Sequence, residues 1–262
     1  MSSGGYTFGD SALAATRLAL LAEVFDQTTA GFLGGFRAMR PRLVVDLGCG
    51  PGFTTTLLRD LLSPERVVAI DSSPAFVNEA ARRLGASAEV LAADVMDLPD
   101  AITEVDLLFA RFVLTHLSHP AAAVEEWVRR LAPGGVVALE EVESITTDEP
   151  VVGAYLDLQR WMLTANDNLL EVGPVIEQAA QQRGWTFRST IVSLTPPTPM
   201  VARMFAMNFE TLRARPAVLE NVSSVELDGI AHGLAAVSTS QTAAPTTWRL
   251  RQLSITNSWR NM

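Results

Sequence analysis

The chain has no lysine; all 20 of its basic residues are arginine. That excludes a Schiff-base lysine for pyridoxal phosphate, a P-loop lysine for a nucleoside triphosphate, and lysine as a general base. Cysteine is almost absent too. Cys49, the single one, can form no internal disulfide. It reads as a small loop residue in a reducing compartment, so a cytoplasmic location is expected. Positive charge is in deficit, with a net charge of −9. A nucleic-acid binder needs a basic footprint to release counterions from phosphates. Here pairs such as Arg82-Arg83 and Arg129-Arg130 are short and read as solvated helix faces. Binding to DNA, RNA or an anionic membrane is therefore disfavoured. No apolar run reaches the length of a bilayer span. Met1 to Asp10 has neither a basic n-region nor an apolar h-region, so no secretory signal is expected there. His, Cys, Asp and Glu nowhere take metal-ligand spacing, so no metal is expected.

What is present is a globular composition, 48% hydrophobic and 19% charged over 262 residues. The most informative stretch is Val44-Val45-Asp46-Leu47-Gly48-Cys49-Gly50-Pro51-Gly52. A β-branched run contains an acid, three glycines follow at alternate positions, and Leu57-Leu58 opens a helical pattern. That order predicts strand, tight loop, helix. Glycine lets the backbone approach a ligand closely, because no Cβ intervenes. Open α/β sheets hold their ligands at the carboxyl ends of the strands.

Around this loop the pattern alternates. Residues 10–36 read as a helix, with Leu13, Arg17, Leu20, Leu21, Val24 and Phe25 at helical spacing. Strands are expected at 43–47, 67–70, 89–92, 106–110 and 136–142, and helices at 53–62, 75–84 and 121–131. Pro133-Gly134-Gly135 reads as a turn. The alternation argues for an α/β fold: a Rossmann-like, doubly wound, mostly parallel sheet with helices on both faces. Beyond Glu143 the regularity fails. Helices are expected at 151–163, 174–183 and 200–212, strands at 185–194 and 248–258, and a small, polar loop at 235–247. The second half adds two strands to the same sheet, so a single domain is expected over 1–262. It would comprise a helical N-terminal extension at 1–41, a cofactor-binding core at 42–145, cap insertions at 146–184 and 196–245, and final strands at 185–195 and 246–258.

The choice of cofactor lies between a dinucleotide and an adenosyl sulfonium. A dinucleotide fingerprint spaces its glycines G-x-G-x-x-G. Here the third glycine comes one place early and Phe53 follows it. Asp46, ahead of the loop, suits a cation better than two phosphates. S-adenosylmethionine carries an ammonium and a sulfonium and no phosphate. Asp71 ends the second strand, with Ser72 beside it, and can accept hydrogen bonds from both ribose hydroxyls. Asp94 follows the third strand and can accept from the adenine amino group, while Val95 offers backbone contact. A lone strand-end aspartate is often just a helix cap. Three of them on successive strands, with Gly48, Cys49, Gly50 and Gly52, form a specific constellation.

With Ala69-Ile70-Asp71, Ala93-Asp94, Asp106-Leu107-Leu108-Phe109-Ala110-Arg111-Phe112-Val113-Leu114 and Leu131-Ala132-Pro133-Gly134-Gly135 following in order, the chain resembles the class I S-adenosylmethionine-dependent methyltransferases over about residues 42–143. The resemblance implies a seven-stranded sheet whose last strand runs antiparallel, with a cap over the acceptor site. Tyr6 and Arg17 lie in a helical extension of the kind that closes over the cofactor in the small-molecule branch of this family. Arg17 either pairs with the methionine carboxylate or is a surface arginine on an amphipathic helix. Arg111, after the fourth strand, either contacts the methionine end or is a structural salt-bridge partner.

Methyl transfer is an in-line displacement in which the protein supplies position and electrostatics. A base is needed only where the acceptor must lose a proton. His116, just after the fourth strand, suits that role, or is a loop histidine satisfied by backbone. Glu140-Glu141-Val142-Glu143 closes the fifth strand, with Glu141 and Glu143 on one face. The resemblance aligns Glu141 with a glutamate at the end of this strand, which makes it the candidate acid at the acceptor. Tyr155, Trp161, Met204 and Phe205 supply an apolar acceptor pocket, or ordinary core. The resulting expectation is methyl transfer from S-adenosylmethionine to the oxygen, nitrogen or carbon of a small aromatic or heterocyclic specialised metabolite. Two alternatives stand beside it. One is a nicotinamide-dependent oxidoreductase, against which the glycine spacing and the missing lysine argue. The other is a regulatory protein that binds S-adenosylmethionine without turnover. A small-molecule acceptor is the expected partner, and a homodimer stays open.

Overall fold

The computed structural model describes residues 12–256. Tyr6 and the last two residues of the expected final strand lie outside them. Seven strands are present among the described residues: β1 (Leu43–Leu47), β2 (Arg66–Asp71), β3 (Glu89–Ala92), β4 (Val105–Arg111), β5 (Leu131–Thr147), β6 (Thr186–Leu194) and β7 (Thr246–Thr256). They form one sheet in the order β3-β2-β1-β4-β5-β7-β6. Neighbours from β3 through β5 pair in parallel, and β7 runs antiparallel to both β5 and β6. The strand order reverses between β1 and β4, so a crevice opens at their carboxyl ends.

Helices α1 (Ala12–Gly34), α2 (Phe53–Leu62), α3 (Pro74–Leu84), α4 (Pro120–Arg129), α5 (Pro150–Thr164) and α6 (Gly173–Gln182) precede β6; α7 (Thr198–Leu212), α8 (Pro216–Asn221) and α9 (Ser224–Val237) follow it. The central strands read as unbroken apolar runs because both of their faces are covered. Side chains alternate along a strand, so Val45 and Leu47 face one core while Val44 faces the other. The first core packs Val45, Leu47, Leu108 and Ala110 under Val124 and Trp127 of α4 and Ile176 of α6. The opposite core packs Val44, Leu107 and Phe109 against Leu58 of α2 and Leu33 of α1. A further apolar cluster joins Val142 and Ile145 of β5, and Trp248 and Leu250 of β7, to Phe25 and the cap helices α5, α7 and α9.

Two expectations change. Pro133-Gly134-Gly135 is no strand-limiting turn. It lies inside β5, where Gly134 takes φ +76° and the pairing with β4 shifts register between Val105 and Leu107. A Cβ on Gly135 would stand 2.5 Å from the Val105 carbonyl oxygen, so the irregularity needs glycine. Residues 235–247, expected as loop, divide between the end of α9, a short connection and the start of β7. The signal for α9 was present as a capping box. Ser223 Oγ accepts from the Glu226 amide while the Glu226 carboxylate accepts from the Ser223 amide.

Candidate active site

The glycine loop leaves β1 with Gly48, Gly50 and Gly52 all at positive φ, +63°, +52° and +85°. Side-chain-bearing residues rarely adopt that conformation. Its neighbours are close as well: a Cβ on Gly48 would fall 2.5 Å from Val113 Cγ2, and one on Gly50 would fall 3.3 Å from Leu18 Cδ1 of α1. The loop is thus roofed by α1 and walled by the turn after β4. The Cys49 amide bonds the Ile70 carbonyl at 3.0 Å, which ties the loop to β2. The thiol itself is buried, and its pKa is pushed well up by that burial and by Asp46 and Asp71.

The three acids divide into two kinds. Asp71, half-buried at the end of β2, accepts from the Gly50 amide at 2.9 Å and from the Ser73 amide at 2.8 Å. The first of these bonds ties the glycine loop to the end of β2. Ser72 is exposed beside it. Asp94 is exposed beyond β3, with one oxygen accepting from the Met96 amide at 2.8 Å. Val95 is buried, its carbonyl accepting from Trp127 Nε1 at 2.8 Å. Asp46 is different. It is 1% exposed and accepts from the hydroxyls of Thr54 and Thr55 at 2.7 and 2.6 Å. Burial raises its pKa to about 6 against those two bonds and the Arg111 charge. The structure makes it a buttress for the first turn of α2, underneath the loop, where the sequence reading had it facing a cation.

Arg111 takes the structural alternative. Its guanidinium donates to Asp26 at 2.9 Å and to Thr29 at 2.8 Å, both on α1. Thr29 in turn donates to Glu140 at 2.5 Å, and Gln252 Nε2 donates to the other Glu140 oxygen at 2.7 Å. This buried chain fastens α1 across β4, β5 and β7. Sequence patterning marked Arg111 but gave no sign of its partners Asp26 and Thr29, 85 and 82 residues earlier on α1.

Next to the crevice, β4 ends in a sharp reversal. Phe112 adopts φ +56°, an uncommon value for a bulky residue. The reversal presents the amides of Val113 and Leu114 to Glu141 Oε1, at 3.0 and 2.9 Å. Glu141 is 2% exposed, and Oε2 has no hydrogen-bond partner among the described residues. Burial raises its pKa to about 8 despite the two amides, so the carboxyl is mostly protonated at neutral pH. His116 ends a 3-10 turn at Leu114–His116 and is half-buried. Desolvation, and then the nearby Arg17 charge, lower its pKa to about 3. The imidazole is therefore neutral at physiological pH and a weak base.

Arg17 is 4% exposed, which rules out the surface alternative. It acts electrostatically on both His116 and Tyr155. Tyr155, Met204 and Phe205 are buried together in the cap, the Tyr155 and Phe205 rings stacking at 4.5 Å. Trp161 is 40% exposed on the outer face of α5 and leaves the candidate pocket. Gln159, Asn208 and Trp248 are buried polar residues of the cap region that the sequence reading passed over. Gln159 was legible, one helical turn from Tyr155. Trp248 was not, because only the antiparallel return of β7 brings it to the cap. No helix among the described residues is long and apolar enough to cross a membrane, and no group of three His, Cys, Asp or Glu among them could hold a metal.

Residues 45–139 match the sequence profile of a methyltransferase domain. A trans-aconitate 2-methyltransferase from Methylobacterium nodulans is 41% identical over 111 residues, 42% of this chain and 41% of that protein. The chain spans about two fifths of the length of the curated relatives it matches. Among solved structures, the plantazolicin methyltransferase BpumL in complex with SAH superposes with a TM-score of 0.52 at 14% identity, covering 95% of each chain. The geranyl diphosphate C-methyltransferase of Streptomyces coelicolor gives a TM-score of 0.52 at 14% identity, covering 90% of this chain and 82% of its own. Those two likenesses concern the fold. With the strand order and the glycine loop between β1 and α2, residues 45–139 are thus similar to the methyltransferase domain of class I S-adenosylmethionine-dependent methyltransferases.

Proposed function

We propose that the protein transfers the methyl group of S-adenosylmethionine to a small-molecule acceptor seated between the sheet and the cap. The observation that carries this reading is the cradle itself: three positive-φ glycines at the tip of β1, roofed by Leu18 and held by the Asp71 carboxylate. A loop whose glycines leave no room for a Cβ, next to one engaged carboxylate and one exposed carboxylate, fits a cationic nucleoside. Asp71 and Asp94, with Val95 beside them, would hold the nucleoside, and the loop backbone would face the amino-acid end. When bound, the cofactor supplies an electrophilic methyl group on sulfur.

The remaining chemistry belongs to the chain. The Glu141 carboxyl, fixed by two backbone amides, turns its free oxygen to the acceptor as a hydrogen-bond donor, and as a proton acceptor once ionised. His116 contributes shape and a neutral polar edge. Tyr155, Met204 and Phe205 supply apolar surface, which favours an aromatic or heterocyclic acceptor of specialised metabolism. A working place in the cytoplasm accords with the one buried thiol. Calorimetric titration is expected to give binding of S-adenosylmethionine and S-adenosylhomocysteine and none of a nicotinamide dinucleotide. Label from a tritiated methyl donor is then expected in a small acceptor. Dinucleotide binding without binding of either sulfur compound would overturn the reading.

A further inference from the structure

Where α1 covers Gly50, α3 backs the other end of the glycine loop. A Cβ on Gly52 would stand 3.2 Å from Leu84 Cδ1 and 3.4 Å from Ala80 Cβ. Ala80, Arg83 and Leu84 lie three and four residues apart, so they share one face of α3. Arg83 reaches from that face to the loop. Its Nε donates to the Pro51 carbonyl at 2.8 Å, and its guanidinium carbon lies 3.9 Å from the centre of the Phe53 ring, at the start of α2. The helix that carries it is itself placed from the end of β2. Asp71 accepts from the Ser73 amide at 2.8 Å, and Ser73 Oγ caps α3 by accepting from the Phe76 amide at 3.2 Å.

The bond to Pro51 fixes one particular peptide plane. The Gly52 amide donates to the Cys49 carbonyl at 3.0 Å, closing a turn with Gly50 and Pro51 at its centre. In a planar trans peptide the C=O and N–H point opposite ways. The plane between Pro51 and Gly52 is thus gripped at both ends, by Cys49 on the N–H and by Arg83 on the C=O. Losing the second grip frees a plane that ends at Gly52, where φ is +85° and no Cβ limits rotation. Arg83 is exposed, and a surface guanidinium held in one conformation loses rotamer entropy. The stack on Phe53 offsets that loss and aims the donor at the loop.

We propose that Arg83 is a positioning residue for the cofactor, acting through the Pro51–Gly52 peptide to hold the glycine loop in its binding shape. The proposal rests on the methyl-transfer reading. Charge and position act in opposite directions here. A positive charge behind the loop by itself opposes a cationic ligand. If charge were the only effect, its removal would favour S-adenosylmethionine over S-adenosylhomocysteine, which lacks the sulfonium. Loss of a positioning contact weakens both alike.

Calorimetric titration of the whole protein with each compound makes that distinction. Arg83→Met is expected to weaken both by about five- to tenfold, the size of a surface cation–π contact together with one hydrogen bond. Arg83→Lys keeps the charge and one donor, and is expected to recover part of the loss. Phe53→Leu removes the ring and is expected to weaken both by about two- to threefold. Arg82→Gln removes an equal charge one residue away and is expected to leave both affinities unchanged. Melting temperatures without ligand are expected to stay within about 3 °C of the parent protein. If Arg83→Met does not fold, Arg83→Lys and Phe53→Leu carry the comparison. Unchanged affinities in the Arg83 and Phe53 variants, a gain for S-adenosylmethionine alone, or an equal loss in Arg82→Gln would each overturn the proposal and leave methyl transfer standing. Failure of both compounds to bind the parent protein would overturn the methyl-transfer reading beneath it.

Discussion

At the scale of single residues, the loop makes the sharpest demands. Gly48→Ala would place a methyl group 2.5 Å from Val113 Cγ2 in a left-handed conformation. The backbone penalty alone is about 1–2 kcal/mol, so a lower unfolding midpoint in denaturant and weakened cofactor binding are expected. Asp71→Ala removes the acceptor of the Gly50 amide. Cofactor affinity should fall by about 1–3 kcal/mol; unaltered affinity in calorimetry would take Asp71 out of the site. Cys49 is buried with its thiol pKa raised. Iodoacetamide should therefore leave it unmodified in the folded protein and label it quickly in urea, as mass spectrometry would register.

At the scale of elements, the docking of α1 decides whether the crevice has a roof. The pair between Arg111 and Asp26 is the hinge of that docking, with the arginine side chain 5% and the aspartate 33% exposed. Replacing both, by Arg111→Met and Asp26→Asn, and each singly, should reveal a coupling of about 0.5–3 kcal/mol. The single arginine variant should also open α1 to limited proteolysis, because it leaves Glu140 without its neighbouring cation. A coupling near zero, with proteolysis unchanged, would mean that apolar contacts alone hold the helix. Several elements were legible from pattern: the β1 loop and α2 from a β-branched run followed by glycines, and α3 from Pro74 and Gly85 at its ends. The bulge at Gly134 and Gly135 was misread as a turn, since a glycine pair signals either and only pairing with β4 distinguishes them.

For the molecule as a whole, the buried Glu141 couples stability to pH. Its pKa rises from 4.5 to about 8 on folding, chiefly through desolvation. Between pH 6.5 and 8 the unfolded chain has released this proton and the folded chain largely retains it. The folded state then binds more protons, so stability falls as pH rises, by about 1–2 kcal/mol over that window. His116 acts in the opposite sense lower down. Its pKa falls from 6.5 to about 3, so stability is lost as pH drops below 6.5. Denaturant titrations at pH 6.5 and 8 should reveal the first slope. Glu141→Gln should flatten it, because glutamine still accepts from the Val113 and Leu114 amides and carries no proton to lose. Activity should also survive chelators; inactivation by a chelator, reversed by one metal, would overturn that expectation.

The linear sequence determined the architecture and the place of the glycine loop, because strand, loop and helix signals, and the acids that follow the strands, are local. Hydrophobic period and glycine spacing act over a few residues and need no partner to be recognised. What became of each charged side chain was decided by the tertiary structure. Asp46 and Arg111 looked like cofactor contacts until the packing of α1 and α2 engaged them elsewhere, and Trp161 looked like a pocket wall until α5 turned it outward. The stack of Tyr155 on Phe205 exists only because α5 and α7, far apart in sequence, meet in the cap. Desolvation depends on everything packed around a group, and no local pattern encodes that.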